Sequence, residues 1–205
     1  MHPKVLSPKA WKTVRALSKG GWLDSWALAG GTGLALHLGH RYSEDLDLFG
    51  LDPFDPPGLA GELSGLDRVR VQSRSADTLH LEILGLRVSY LRAQAPFLFP
   101  GTAYRGLTVA DPRDIAVMKV IAIGGRGSRK DFVDLFFYLR SGGTLEGVLT
   151  LLHQRFRGVD YNTYHLMKGL VYFADAEEEP MPKMIRPVDW EAVKKVMIAE
   201  VRRLS

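Results

Sequence analysis

The chain has 205 residues, 46% hydrophobic and 24% charged, with no cysteine and a formal net charge of +4. That length buries a sizeable core and the composition is that of a globular protein, which excludes a disordered chain, a disulfide scaffold and thiolate-bound zinc. No apolar stretch approaches the roughly 20 residues that cross a bilayer, and "MHPKVLSPKAWK" lacks the apolar centre of a signal peptide, so a cytoplasmic protein is expected, with any metal held by oxygen or imidazole.

In chain order, "SPKAWKTVRALSKGG" predicts a first helix, with Ser7 as N-cap, Pro8 at the first helical position and a stop at Gly20 and Gly21. "SWALAG" predicts a short apolar strand ending in Gly30 and Gly31, and "TGLALHLG" a short helix capped by Thr32 and closing at Gly39. "EDLDLFG" alternates, so Leu46 and Leu48 share one face of a strand and Asp45 and Asp47 the other. Pro53, Pro56 and Pro57 mark a loop before a weak helix near "PPGLAGELSGL". Strands follow in "RVRVQSRS", "TLHLEIL" and "LRVSYLR", with Gly85 turning between the last two. "APFLFPGTAYRGLTVADPRD" reads as a connection, regular only around "GLTV". Everything beyond is helical in pattern. "DPRDIAVMKVIAIGG" starts from Asp111 and Pro112, and "SRKDFVDLFFYLRSGG" from Ser128. Single helices are expected in "TLEGVLTLLHQRF" and "NTYHLMKGLVYFADAEEE", then an amphipathic one in "VDWEAVKKVMIAEVRRL" after the proline-bounded link "PMPKMIRP". The expected organisation is α+β: an α/β half over 1–110 and a helical half over 111–205.

Asp45 and Asp47 project from one strand face, close enough to share a hard cation such as Mg²⁺ with a substrate phosphate. Taken singly, the pair is better explained by the wet side of a strand, and "GGT" by a tight turn that needs glycine. In this order they describe a phosphate cradle of backbone N–H groups, a hydroxyl and a helix N-terminus, followed about a dozen residues later by a metal-binding carboxylate pair. A second constellation lies downstream. Lys119 is the only charge between 115 and 123, on a helix apolar nearly all round, and Asp134 sits among Phe132, Val133, Leu135, Phe136 and Phe137. Two compatible readings follow: an ion pair tying two core helices together, or a lysine on a triphosphate with Asp134 orienting it or the acceptor hydroxyl. Asp131 either completes a capping box with Ser128 or belongs to the site. Arg126, Arg129 and Lys130 in "GGRGSRK" either grip phosphates or form a solvated loop. The six histidines are scattered. His37 is expected to pack or cap, while His40 and Arg41 either touch a nucleotide or lie exposed in a loop.

"LAGGTGLALHLGHRYSEDLDLF", with "DIAVMKVIAIGGRGSRKDFVDLFFYL" and the closing "VDWEAVKKVMIAEV", resembles the AbiEii/AbiGii nucleotidyltransferases, toxins of abortive-infection toxin–antitoxin systems in the polymerase β-like superfamily. The resemblance implies a small mixed sheet flanked by helices, with a C-terminal helical bundle. It further implies Mg²⁺-dependent transfer of a nucleoside monophosphate from a nucleoside triphosphate to an acceptor hydroxyl. The implied acceptor is RNA, at the 3′ end of a tRNA, in a type IV-like system with a cognate antitoxin. On this basis Gly30, Gly31 and Thr32 are expected to hold the β- and γ-phosphates, and Asp45 and Asp47 the Mg²⁺. Lys119, Arg126 and Lys130 are expected to contact the nucleotide, and Asp134 and Asp131 to complete the site. The chain departs from the superfamily at the third carboxylate: Glu82 is the only acid there, the next strand offering Ser89 and Tyr90. If Glu82 does not reach the site, Asp134 is the expected base. The alternative is a non-catalytic nucleotide- or RNA-binding regulator on the same fold.

Overall fold

In a computed structural model that describes residues 1–159 and 161–204, α1 (Pro8–Lys19) opens the chain, its first turn capped by the Ser7 hydroxyl, which accepts the Ala10 N–H. A mixed sheet follows, built from β1 (Ala27–Leu28), β2 (Asp45–Gly50), β3 (Val69–Arg74), β4 (Thr78–Ile83), β5 (Leu86–Arg92), β6 (Thr102–Tyr104) and β7 (Leu107–Val109). Helix α2 (Gly30–Leu38) connects β1 to β2, and α3 (Pro56–Leu63) connects β2 to β3. The strand order is β3-β4-β5-β2-β1-β7-β6, with β2 parallel to β5 and antiparallel to β1. Alternation decides what each face does. Leu46, Leu48, Leu79, Leu81 and Ile83 are buried on one side, which turns Asp45, Asp47, His80 and Glu82 to the other.

The rest is helical: α4 (Pro112–Arg126), α5 (Arg129–Arg140), α6 (Leu145–Arg155), α7 (Thr163–Gly169), α8 (Ala174–Glu178) and α9 (Trp190–Leu204). Asp111 caps α4 by accepting the Arg113 N–H, as its position predicts. Buried apolar side chains gather in two clusters. One lies under the sheet and runs from Val5 to Val109; the other runs from Ala110 to Val201 and takes in Ala29 and Leu34 from the first part of the chain. Helix α2 serves both, since Leu34 enters the helical cluster while Ala35 and Leu36 enter the sheet cluster. The expected α+β class, a small mixed sheet flanked by helices with a helical C-terminal region, is what the chain adopts. No helix among the described residues is long and apolar enough to cross a membrane.

Four local expectations need correction. Gly30 and Gly31 do not end a strand; they open α2, with Ala29 at the N-cap and Thr32 inside the first turn. "GLTV" is one arm of a β6–β7 hairpin whose turn puts both Arg105 and Gly106 at positive φ, 51° and 82°. Ser128 gives α5 no side-chain cap, because its hydroxyl donates to Glu179. "NTYHLMKGLVYFADAEEE" forms two helices, not one. Gly169, a poor helix former, ends α7 where its Cα lies against Gly124 of α4, and Phe173 then turns in to meet the rings of Phe132 and Trp190.

Candidate active site

The first wall of the site is the start of α2. Gly30 has φ +58°, and a Cβ there would stand 2.8 Å from Asp47 Oδ2, so glycine is what lets this carboxylate approach the helix N-terminus. A Cβ at Gly31 would stand 2.1 Å from the Arg41 guanidinium and 3.2 Å from Asp134. The two glycines therefore leave room for two different carboxylates. Thr32 is 1% exposed, and its hydroxyl bonds the Ser43 hydroxyl at 2.7 Å and the Asp45 carbonyl oxygen. It clamps α2 to the entrance of β2, with its hydroxyl committed within the protein.

Asp45 and Asp47 share a face of β2, as the alternation requires. Arg87 on β5 grips Asp45 through both oxygens, at 2.8 and 3.1 Å. Burial, and then the neighbouring charge of Asp45, push the Asp47 carboxyl above its ordinary pKa, against a partial pull from Lys119, Lys130 and the Ser89 hydroxyl. A half-buried acid in that condition suits a cation. The donors are carboxylate oxygens, and no third His, Cys, Asp or Glu joins them in a cluster among the described residues. Such a pair fits a hard divalent ion that takes its remaining ligands from water and substrate phosphate. Glu82 does not border the cleft; it pairs in register with Arg87.

The opposite wall comes from α4 and α5. Lys119 Nζ lies 2.7 Å from Asp131 Oδ1 and 2.7 Å from Asp134 Oδ2. Burial opposes its charge, but Asp134 and Asp131 outweigh that and hold the ammonium more firmly protonated than an ordinary lysine. Asp134 is 0% exposed and lies behind Lys119. It accepts Arg41 Nε and Nη2 at 2.6 and 2.9 Å, and His40 Nε2 lies 2.8 Å away. Burial works against its charge, and Arg41 and Lys119 overcome it, holding the carboxyl well below the usual range. Asp131 keeps one oxygen, Oδ2, without a hydrogen-bond partner, and Arg126 Nη2 stands 3.6 Å away.

These walls enclose a cleft of about 630 Å³. Gly30, Gly31, Thr32, Asp45, Asp47, Lys119, Arg126, Lys130 and Asp131 all border it; Asp134 does not. Arg129 points elsewhere, donating to the carbonyl oxygens of Ala176 and Glu177 at the end of α8. His37 packs as expected, against the Ala110 carbonyl oxygen. Neither His40 nor Arg41 is exposed; both are buried on Asp134, and Arg41 also borders the cleft. Sequence reasoning missed their role, and it missed Arg87, His80 and Lys183, which also line the cleft. For Arg87 and His80 a signal existed, since strand alternation places them on the face of the aspartates.

A family model for the nucleotidyl transferase AbiEii toxin of type IV toxin–antitoxin systems matches residues 13–80. An uncharacterized protein of Aquifex aeolicus is 36% identical over 187 residues, covering 89% of each chain. Among solved structures, JHP933 from Helicobacter pylori is similar with a TM-score of 0.57 at 16% identity, over 97% of this chain and 93% of that one. The nucleotidyltransferase toxin MenT4 of Mycobacterium tuberculosis gives 0.55 at 18% identity, over 89% of this chain and 77% of that one. At such identities the structural likeness shows a shared fold.

Proposed function

This chain belongs to the AbiEii/AbiGii-type nucleotidyltransferase toxin family of the polymerase β superfamily, and on that premise we propose that it is a Mg²⁺-dependent transferase that moves a nucleoside monophosphate from a nucleoside triphosphate to an acceptor hydroxyl. The observation that carries this reading is the convergence of the α2 N-terminus, the Asp45 and Asp47 carboxylates and the Lys119 ammonium on one cleft. Bound Mg²⁺ would neutralise the triphosphate and stabilise charge that develops as pyrophosphate leaves. Asp45 and Asp47 supply its protein oxygens. The N–H groups at the start of α2 and the side chains of Lys119, Arg126 and Lys130 face the phosphates. Asp131 steadies Lys119 with one oxygen, and its other oxygen stands 3.6 Å from the Arg126 guanidinium. Asp134 is a positioning residue: sealed from the cleft and held ionised by Arg41 and Lys119, it is unsuited to take a proton from an acceptor.

The acceptor we favour is RNA, with the 3′ end of a tRNA carried over from the family, as is a cognate antitoxin that restrains a cytoplasmic toxin. Arg126 and Lys130 continue from the main cleft into a depression of about 370 Å³ beside Glu179, Pro180 and Pro182, which offers basic side chains to a phosphate backbone. The test incubates the protein with each labelled nucleoside triphosphate, Mg²⁺ and total cellular RNA. Transfer to RNA is expected from the wild type and is expected to vanish in Asp45→Ala/Asp47→Ala and on chelation. Mg²⁺-dependent nucleotide binding without transfer from any of the nucleotides would favour a non-catalytic binding protein instead.

A further inference from the structure

One aromatic ring at the cleft remains without a task. Tyr42 borders the cleft and is 41% exposed, and its hydroxyl makes no hydrogen bond among the described residues. Its backbone, by contrast, is fixed on both sides. The Tyr42 N–H donates to the Lys183 carbonyl oxygen at 2.9 Å, and the Tyr42 carbonyl oxygen accepts Arg41 Nη1 at 3.1 Å. The neighbours are anchored too: Arg41 bridges to Met184 and holds Asp134, while the Ser43 N–H donates to the Val5 carbonyl oxygen and its hydroxyl meets Thr32. The ring is therefore presented to solvent from a backbone that has little freedom left to lose on binding. Lys183, which also borders the cleft, stands over the ring at 5.0 Å from its centroid.

The place of this ring decides what it meets. Glu179, Pro180, Met181 and Pro182 line the depression that Arg126 and Lys130 share with the cleft, and the next residue is Lys183. The segment that walls the depression thus runs straight on to the side chain that packs on Tyr42. Glu179, the acid that lines the depression, is already committed: its Oε2 accepts the Ser128 hydroxyl and the Arg129 N–H at 2.8 and 2.9 Å. Arg126, Lys130 and Lys183 are left to set the charge of the passage. A basic track with an open aromatic ring along it is the arrangement that binds single-stranded nucleic acid, phosphates on the cations and a base on the ring. A base in a duplex is committed to its own stack and partner, so such a ring selects unpaired nucleotides. We infer that Tyr42 is the stacking platform for an unpaired base at the end of the acceptor RNA, with Lys183 holding the ring and meeting a flanking phosphate. This rests on the RNA-acceptor reading above and adds a selection to it. The acceptor end must be single-stranded, and any base is accepted there, because a ring face reads no base edge.

Binding of fluorescein-labelled RNA hairpins to the full-length protein, followed by anisotropy without nucleotide or Mg²⁺, tests this apart from catalysis. The wild type is expected to bind a hairpin with an unpaired 3′ tail about tenfold more tightly than the same hairpin with a blunt end, the size of one stacked base. Tyr42→Ala should remove most of that difference. Tyr42→Phe and Tyr42→Trp, which keep a ring, should retain it, whereas Tyr42→Leu, which keeps apolar bulk alone, should not. Affinity for Mg²⁺ and nucleoside triphosphate should stay within about twofold in each variant. A measurement on the wild type guards against a variant that fails to fold: photoactivated thiouridine at the 3′ end of the tail is expected to crosslink to Tyr42 or Lys183, located by mass spectrometry. Equal affinity for tailed and blunt hairpins, or crosslinks confined to other residues, overturns the inference while the transferase reading stands. So does a Tyr42→Ala loss that falls on the nucleoside triphosphate and spares the RNA, which would give the ring to the donor base. If the tail binds and crosslinks at Tyr42 while the transfer assay detects no product, the platform stands and the transferase reading alone fails.

Discussion

Asp134 is fully buried yet ionised because three side chains close on it: Arg41 through two nitrogens, Lys119 at 2.7 Å and His40 at 2.8 Å. Removing one partner of a buried, paired set leaves the others uncompensated, at a cost of about 3–5 kcal/mol. Asp134→Ala is therefore expected to lower the denaturant midpoint by a corresponding amount and to lose nucleotide binding with it, as Arg41 and Lys119 come loose; a simple base would lose rate and keep stability. The same cluster fixes a response to acid. His40 Nδ1 is buried without a partner, and burial holds the ring below its ordinary pKa despite the pull of Asp134. An unfolded chain takes up a proton at His40 that the folded chain refuses, so stability falls as pH drops through the ordinary histidine range. The contribution of Asp134, whose pKa is depressed, is complete above the ordinary carboxylate value and is lost at still lower pH. His40→Gln, which keeps a donor at the position of Nε2, should flatten the loss of stability between about pH 7 and about pH 5 in denaturant titrations. Lys119 and Asp134 were legible because each is a lone charge in an apolar run, Lys119 within 115–123 and Asp134 within 132–139. His40 and Arg41 were not, because in sequence they are ordinary polar residues ahead of a strand, and only the fold buries them.

At the level of elements, the turn from β1 into α2 depends on close approach. Alanine at Gly31 would drive a methyl group to 2.1 Å from the Arg41 guanidinium, which must leave Asp134 or push α2 aside. Overpacking of this kind costs about 1–3 kcal/mol. Gly31→Ala is expected to lower the melting temperature and weaken nucleotide binding, and adding Arg41→Ala should relieve the clash while binding stays weak. The alternation of β2, the caps of α1 and α4 and the amphipathic α9 could all be read from local spacing, since each is set by neighbours within one turn or one pleat. Thr32 could not. Its hydroxyl is taken by Ser43 and the Asp45 backbone, partners that only the packing of α2 on β2 brings near. The break between α7 and α8 has the same origin, a backbone contact between Gly169 and Gly124 that no periodicity records. Arg105 at positive φ hid the β6–β7 hairpin, because a tight turn announces itself in sequence only when glycine or asparagine fills such positions.

Across the whole molecule, the cleft is assembled from distant stretches of chain that are held in place from behind. The link between α8 and α9 runs past the loop that precedes β2: the Tyr42 N–H donates to the Lys183 carbonyl oxygen, and the N–H groups of Ile185 and Arg186 both donate to the His40 carbonyl oxygen. Arg41 and Met184 pair as an antiparallel bridge, and Lys183 lies over the Tyr42 ring at 5.0 Å. In sequence "PMPKMIRP" carried only the signal of a proline-bounded link, because the backbone hydrogen bonds that tie it to His40 and Tyr42 leave no pattern in its side chains. Its place implies that the backbone around Ile185 fixes His40 and Arg41, hence Asp134 and Lys119, while Met181 and Met184 pack against the helical cluster. Ile185→Pro separates these roles. The Ile185 side chain is 37% exposed and contributes little burial, whereas proline removes one N–H from the His40 carbonyl, worth about 1 kcal/mol. Nucleotide affinity should fall about fivefold, the equivalent of that energy, with a denaturant midpoint close to that of the wild type. A large fall in midpoint with affinity unchanged would instead make the segment part of the core, and the cleft would then be held by α2 and α5 alone.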